Sequence, residues 1–238
     1  MIRSANAVAA STMLAAMIFM QSCVSSDRFS VSDRVSAPSE PLGVMALASK
    51  PAGAVSTEQV YMFRGGFNGV FSTGINVMAA ELEKKGITVH AESWSAGASS
   101  LNAIKASYAA NGRSGPVVIA GHSLGAFTAM GLANQLSAKG IPVDLVILFD
   151  PLSPSAIPTG VRKLINYRAS GRKGDGGNSE PGPRSNGNIV NVDIRTLPEL
   201  GQANHWNIVN QPALQKLAVQ EIVRVVNAGT ISFHSPEQ

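Results

Sequence analysis

The chain has 238 residues, 45% of them hydrophobic and 14% charged, with a formal net charge of +4. That size suits one folded domain with a tail, able to take roughly 70% of its unfolded surface out of water, and the apolar content excludes a disordered chain. The positive excess is mild and partly gathered in one loop, so no nucleic-acid partner follows from it, and the single cysteine, Cys23, excludes an internal disulfide and a cysteine-based zinc cluster.

Residues 1–22 have the pattern of an export signal. Arg3 supplies the positive start, and Ala5 to Met20 is almost wholly small or apolar. The segment is shorter than the run of about 20 apolar residues that spans a bilayer. Its end, Phe19-Met20-Gln21-Ser22-Cys23, resembles the lipobox of bacterial lipoproteins. In that family the cysteine becomes the mature N-terminus and carries the lipids. The resemblance therefore implies lipidation at Cys23 and an exported, membrane-anchored protein; ordinary secretion to the periplasm and a retained anchor are the alternatives. Residues 23–57 are rich in Ser, Pro, Ala and Gly without a sustained period, as a tether is. Residues 58–238 are left for the folded domain.

That domain starts with a short apolar strand, Gln59 to Arg64, which leads into Gly65-Gly66-Phe67. A helix is expected from Ser72 to Lys85, with Ile75, Met78 and Leu82 on one face and Gly86 closing it. A second strand spans Ile87 to Trp94 and a second helix Ser99 to Ala110. Val117 to Ala120 then runs into Gly121-His122-Ser123-Leu124-Gly125, followed at once by a helical segment to Lys139. The near-continuous apolar run Val143 to Phe149 suits a strand covered on both faces. Shorter strands follow at Lys163 to Arg168 and Ile189 to Ile194, and an amphipathic helix from Gln211 to Val226. Strands alternating with helices predict an α/β fold: a mostly parallel sheet with helices on both faces and its active site beyond the carboxyl ends of the strands.

The Gly-x-Ser-x-Gly pattern carries meaning in the order strand, sharp turn, helix, and it stands in that order here. Glycine at 121 and 125 lets strand and helix approach, and Ser123 stands at the tip as the candidate nucleophile. A serine hydroxyl needs a base. His205, in the loop Gln202-Ala203-Asn204-His205-Trp206-Asn207 after the last strand, is the candidate; His90, His122 and His234 are placed less well. The base needs an acid. Asp150 ends the buried strand in Leu148-Phe149-Asp150-Pro151, where an unpartnered carboxylate would be costly. Asp193 is the rival, read as lying inside a strand and not at its exit. The oxyanion of acyl transfer needs preorganised N–H donors; the candidates are the backbones of Leu124, Gly66 and Phe67. Arg64 is read as a brace for that loop. Residues 168–188, dense in Gly, Ser, Pro and charge, are read as a solvated loop.

Gly121-His122-Ser123-Leu124-Gly125, with Asp150 and His205 downstream, resembles the α/β-hydrolase fold on its lipase, esterase and thioesterase side, over roughly Gln59 to Gly229. An Asp-Pro pair after the strand that follows the elbow resembles the acid position of some lipases. Two departures stand out: the first strand leads to Arg-Gly-Gly-Phe in place of a His-Gly pair, and the stretch from Asp150 to His205 is too short for a large cap domain. The resemblance implies a serine hydrolase that cleaves a carboxylic ester or thioester through an acyl-enzyme on Ser123, without metal or organic cofactor. Its partners would be a small-molecule or lipid ester and, through the N-terminal anchor, the membrane. An acyltransferase using the same residues and a non-catalytic envelope lipoprotein that binds through the fold are the alternatives.

Overall fold

The computed structural model describes residues 59–169 and 177–233. The export segment 1–22, the tether 23–57 with Cys23, and His234 lie outside the described residues, as do Arg172, Lys173 and Asp175 of the polar loop.

Successive side chains of a strand point to opposite faces, so a strand that is apolar throughout needs cover on both sides. The described residues form eight strands: β1 (Gln59–Arg64), β2 (Val89–Ser93), β3 (Val117–His122), β4 (Leu145–Phe149), β5 (Ala156–Ile157), β6 (Lys163–Arg168), β7 (Glu180–Pro181) and β8 (Asn188–Asp193). Six of them build one sheet in the order β2-β1-β3-β4-β6-β8, and every neighbouring pair is parallel. The helices are α1 (Thr73–Glu83), α2 (Gly97–Asn111), α3 (Leu124–Ser137) and α4 (Pro212–Phe233).

The two faces carry separate cores. Val60 and Met62 of β1, Val118 and Ala120 of β3, and Leu145, Ile147 and Phe149 of β4 pack against Ile75, Met78 and Leu82 of α1 and Leu214, Ala218 and Ile222 of α4. The alternate residues Tyr61 and Phe63, Val117 and Ile119, and Val146 and Leu148 pack against Leu101 and Ile104 of α2 and Ala126, Ala129, Ala133 and Leu136 of α3. This is the mostly parallel sheet with helices on both faces expected of the α/β-hydrolase fold. Among the described residues no helix lies between β4 and β8.

Three expectations need correction. Asp193 is the last residue of β8, at the strand's exit and not inside it. Residues 168–188 are not wholly loop: Glu180–Pro181 pairs with Ala156–Ile157 as a small parallel ribbon, and Asn191 clamps Ser179 through bonds of 2.8 and 3.0 Å. The last helix runs past Val226 to Phe233, through Gly229, where an added Cβ would sit 3.0 Å from the Pro116 ring.

The turn from β3 into α3 positions the site. A Cβ on Gly121 would lie 2.1 Å from the carbonyl oxygen of Gly125, and one on Gly125 would lie 2.2 Å from that of Phe63. Both contacts are with backbone, which has no rotamer through which to escape. Gly121→Ala therefore forces the strand and helix apart, and a loss of about 2 kcal/mol or more is expected from overpacking alone. Urea unfolding followed by circular dichroism measures it; an unchanged midpoint would contradict this packing.

Candidate active site

Three side chains from distant parts of the chain meet at the carboxyl edge of the sheet. Ser123 follows β3 and Asp150 follows β4, and the parallel register pairs the last residues of those strands, His122 with Phe149. The ladder continues one step beyond: the Ser123 N–H donates to Phe149 O at 3.1 Å, and the Asp150 N–H to Tyr167 O at 2.7 Å. The two residues thus leave adjacent strands at one level.

Both have left-handed backbone, Ser123 at φ 56° and Asp150 at φ 47°. Non-glycine residues in that region carry strain that persists only where surrounding contacts impose it. At Ser123 the strain turns the side chain out of the sheet at the N-terminus of α3.

His205 arrives from the loop after β8. Two short 3₁₀ turns, Ile194–Thr196 and Pro198–Leu200, lead to it, with Ile194 and Leu200 buried as anchors. Two asparagines then lock the turn: the Asn204 N–H donates to Asn207 Oδ1 at 2.8 Å, and the Trp206 N–H to Asn204 Oδ1 at 3.0 Å. His205 projects from this turn between the other two residues. Its Nδ1 lies 2.7 Å from Asp150 Oδ2 and its Nε2 3.0 Å from Ser123 Oγ. Asp150 is only 1% exposed and spends its other oxygen on the Ala169 N–H at 2.9 Å. An ionised carboxylate accepts only, so Nδ1 donates to Asp150, which leaves Nε2 free to accept the Ser123 O–H. Asp193, the rival acid, is taken up locally by Arg195, whose Nε donates to it at 2.8 Å. That guanidinium holds the Asp193 carboxyl below the usual carboxylate range.

The β1 loop lies against Ser123. A Cβ on Gly65 would come within 3.2 Å of Ser123 Cβ, and one on Gly66 within 2.9 Å of Leu124 Cδ1. Phe67 and Leu124 are the first residues of a 3₁₀ helix and of α3, and a first-turn N–H has no acceptor inside its own helix. The structure thus sets Gly65 against Ser123 and Gly66 against Leu124, with Phe67 next in the chain. Arg64 turns away to Asn76 Oδ1 at 2.9 Å, while its stem packs under Gly69, as a brace would.

His122 has a part that the sequence did not disclose. Its ring is buried and joins two loops: Nε2 lies 2.9 Å from the backbone oxygen of His205, and Nδ1 2.8 Å from Ser72 Oγ. The Gly65 N–H donates to the same hydroxyl at 2.9 Å. A backbone N–H can only donate and a carbonyl can only accept, so the directions follow. Gly65 donates to Ser72, Ser72 to His122 Nδ1, and the Nε2–H to His205 O. The chain of bonds ties the β1 loop to the loop that carries His205. His90 stacks on Tyr61 at a centroid distance of 4.6 Å, in β2. Among the described residues no group of three or more His, Cys, Asp or Glu side chains could hold a metal ion.

Burial first, and the neighbouring His205 second, push the His122 ring down to about 4. The unfolded chain takes up that proton near pH 6.5, whereas the native ring resists it. Stability from the neutral ring is therefore complete above pH 6.5 and falls on the order of 3 kcal/mol as the pH drops to about 4. Urea titrations at pH 7, 5.5 and 4 test this. The wild type should lose stability over that range more steeply than His122→Phe; equal slopes would contradict the buried neutral ring.

Comparison with known proteins adds two likenesses. A family model described as the Thioesterase domain matches residues 75–164, a span holding Ser123 and Asp150 but ending before His205. A solved structure from Xanthomonas campestris pv. campestris, titled as a candidate hydrolase of the alpha/beta superfamily, is similar with a TM-score of 0.43 and 15% sequence identity. The match covers 71% of this chain and 98% of that one. No curated protein matches the sequence significantly.

Proposed function

We propose that the protein is a serine hydrolase that cleaves a carboxylic ester or thioester through an acyl-enzyme on Ser123. The observation that carries this reading is the unbroken line from Asp150 Oδ2 through the His205 ring to Ser123 Oγ, with contacts of 2.7 and 3.0 Å. The Thioesterase domain match over residues 75–164 supports the thioester side of the reading. The strain at Ser123 and Asp150 counts against a binding module, which has no use for two strained residues aimed at one imidazole.

The chemistry follows from the donor order. As Ser123 Oγ attacks the acyl carbon, its proton passes to His205 Nε2, and Asp150 stabilises the imidazolium through Nδ1–H. The negative charge on the tetrahedral carbon's oxygen is met by the Leu124 N–H at the start of α3 and by the amides of Gly66 and Phe67. The Nε2 proton then goes to the departing alcohol or thiol. A water molecule, deprotonated by the same nitrogen, attacks the acyl-enzyme, and the acid leaves with Ser123 restored.

A fluorophosphonate probe should label the wild type at Ser123 and leave Ser123→Ala unlabelled. Ser123→Ala and His205→Ala should each lower kcat by roughly 10⁴-fold or more on an activated ester. Labelling and hydrolysis that survive Ser123→Ala would sink the proposal.

The place of action proposed for this hydrolase is the cell envelope, on the strength of the lipobox-like residues 19–23 and the tether 23–57. Membrane fractionation and intact mass test it. Cys23→Ser should release the protein from the membrane and remove the mass of the lipids, and unchanged partitioning would refute the anchor.

A further inference from the structure

A cleft of about 430 Å³ opens beside the nucleophile. One wall is the outer side of α3, formed by Leu124, Phe127, Gly131 and Asn134; the other is the segment after Asp150, including Pro151 and Leu152. Leu124 and Pro151, which line one end of the cleft, directly follow Ser123 and Asp150 in the chain, so that end lies next to the two residues. From there it follows the helix to Asn134, ten residues on, a distance of about 15 Å at the rise of an α-helix. Its lining is mainly apolar, with Asn134, Ser153 and Ser155 as polar members, and two of its large side chains stand open to solvent, Phe127 at 72% and Leu152 at 52% exposed.

Gly131 is the telling residue. It sits in the interior of α3, where glycine costs about 1 kcal/mol relative to alanine. Nothing in the fold requires it. Its backbone φ is not positive, and a Cβ built on it meets no atom within 4 Å. Glycines 121 and 125 are forced by contact, whereas Gly131 faces empty space in the middle of the cleft. What its missing side chain preserves is the depth of the groove.

We propose that this groove is the acyl-binding subsite, and that it takes a straight aliphatic acyl chain laid along α3 across Gly131. This rests on the serine-hydrolase reading above. The assignment to the acyl part of the substrate follows from the protonation step. His205 Nε2 must deliver its proton to the leaving group, which therefore lies against His205 and Trp206, whose rings are 5.2 Å apart. None of the residues lining the groove belongs to the His205 loop.

A series of p-nitrophenyl esters from acetyl to tetradecanoyl tests the proposal. With the wild type, kcat/KM should rise about two- to fourfold for each methylene buried, then level off where the groove ends. Gly131→Leu fills the groove at mid-length. It should cut the ratio of kcat/KM for the dodecanoyl ester to that for the butanoyl ester at least tenfold, while thermal unfolding shows the helix no less stable. Leu152→Asp, from the other wall, should lower the same ratio. A wild type that hydrolyses all esters without regard to acyl length, or a ratio untouched by Gly131→Leu in a folded protein, would overturn the subsite and leave the serine mechanism standing. Failure to hydrolyse any ester in the series would count instead against the serine-hydrolase reading.

Discussion

The site depends on one constraint: two parallel strands must end in step. The pairing of His122 with Phe149 sets where β3 and β4 stop, and each chain then turns through a strained left-handed residue. A slip of one residue would turn each side chain of the slipped strand to the opposite face of the sheet. Both faces are apolar, so fit and not polarity opposes the slip: Ala120, Ile147 and Phe149 are packed into one core and Ile119, Val146 and Leu148 into the other, and a slip would exchange side chains of different size between them. The energy that fixes Ser123 beside Asp150 thus comes from the same two cores that fold the domain.

A second layer of bonds steadies the parts that the sheet does not hold. His205 sits on a loop, and loops are the mobile portion of such folds. Here the two asparagines fix the turn itself, and His122 ties its backbone to Ser72 and Gly65 beside Ser123. One buried ring therefore joins the end of β3, the β1 loop and the turn that carries His205. The Asn204 and Asn207 side chains and the imidazole of His122 act on geometry, through other groups, and touch no reacting atom.

Much of this was legible in the sequence, for physical reasons. A glycine-flanked serine between a strand and a helix has few other uses, and a carboxylate after an all-apolar strand needs a partner. Strand ends also share one edge of a parallel sheet, which narrowed four histidines to His205. The rest depended on contacts between distant residues. His122 could be read only as placed less well than His205 for the role of base, because its partners at 72 and 205 are far off in the chain. The β5–β7 ribbon has two residues a strand, too few for a period to show. Asp193 was misplaced because Ile194 extends the apolar alternation by one residue beyond the last paired position, and its Arg195 partner is a matter of local geometry. At Gly131 the sequence carries no mark of the open space around it, which is set by the segment after Asp150.

The central claim is a covalent one, that substrate acyl groups pass through Ser123. The most direct measurement is rapid quenching of the enzyme during turnover of a slowly hydrolysed ester, followed by peptide mapping by mass spectrometry. The peptide containing Ser123 should carry the acyl mass within the first turnover and lose it as the substrate is exhausted. Product forming at full rate with that peptide unmodified at every time point, or the acyl mass found on another residue, would contradict the claim.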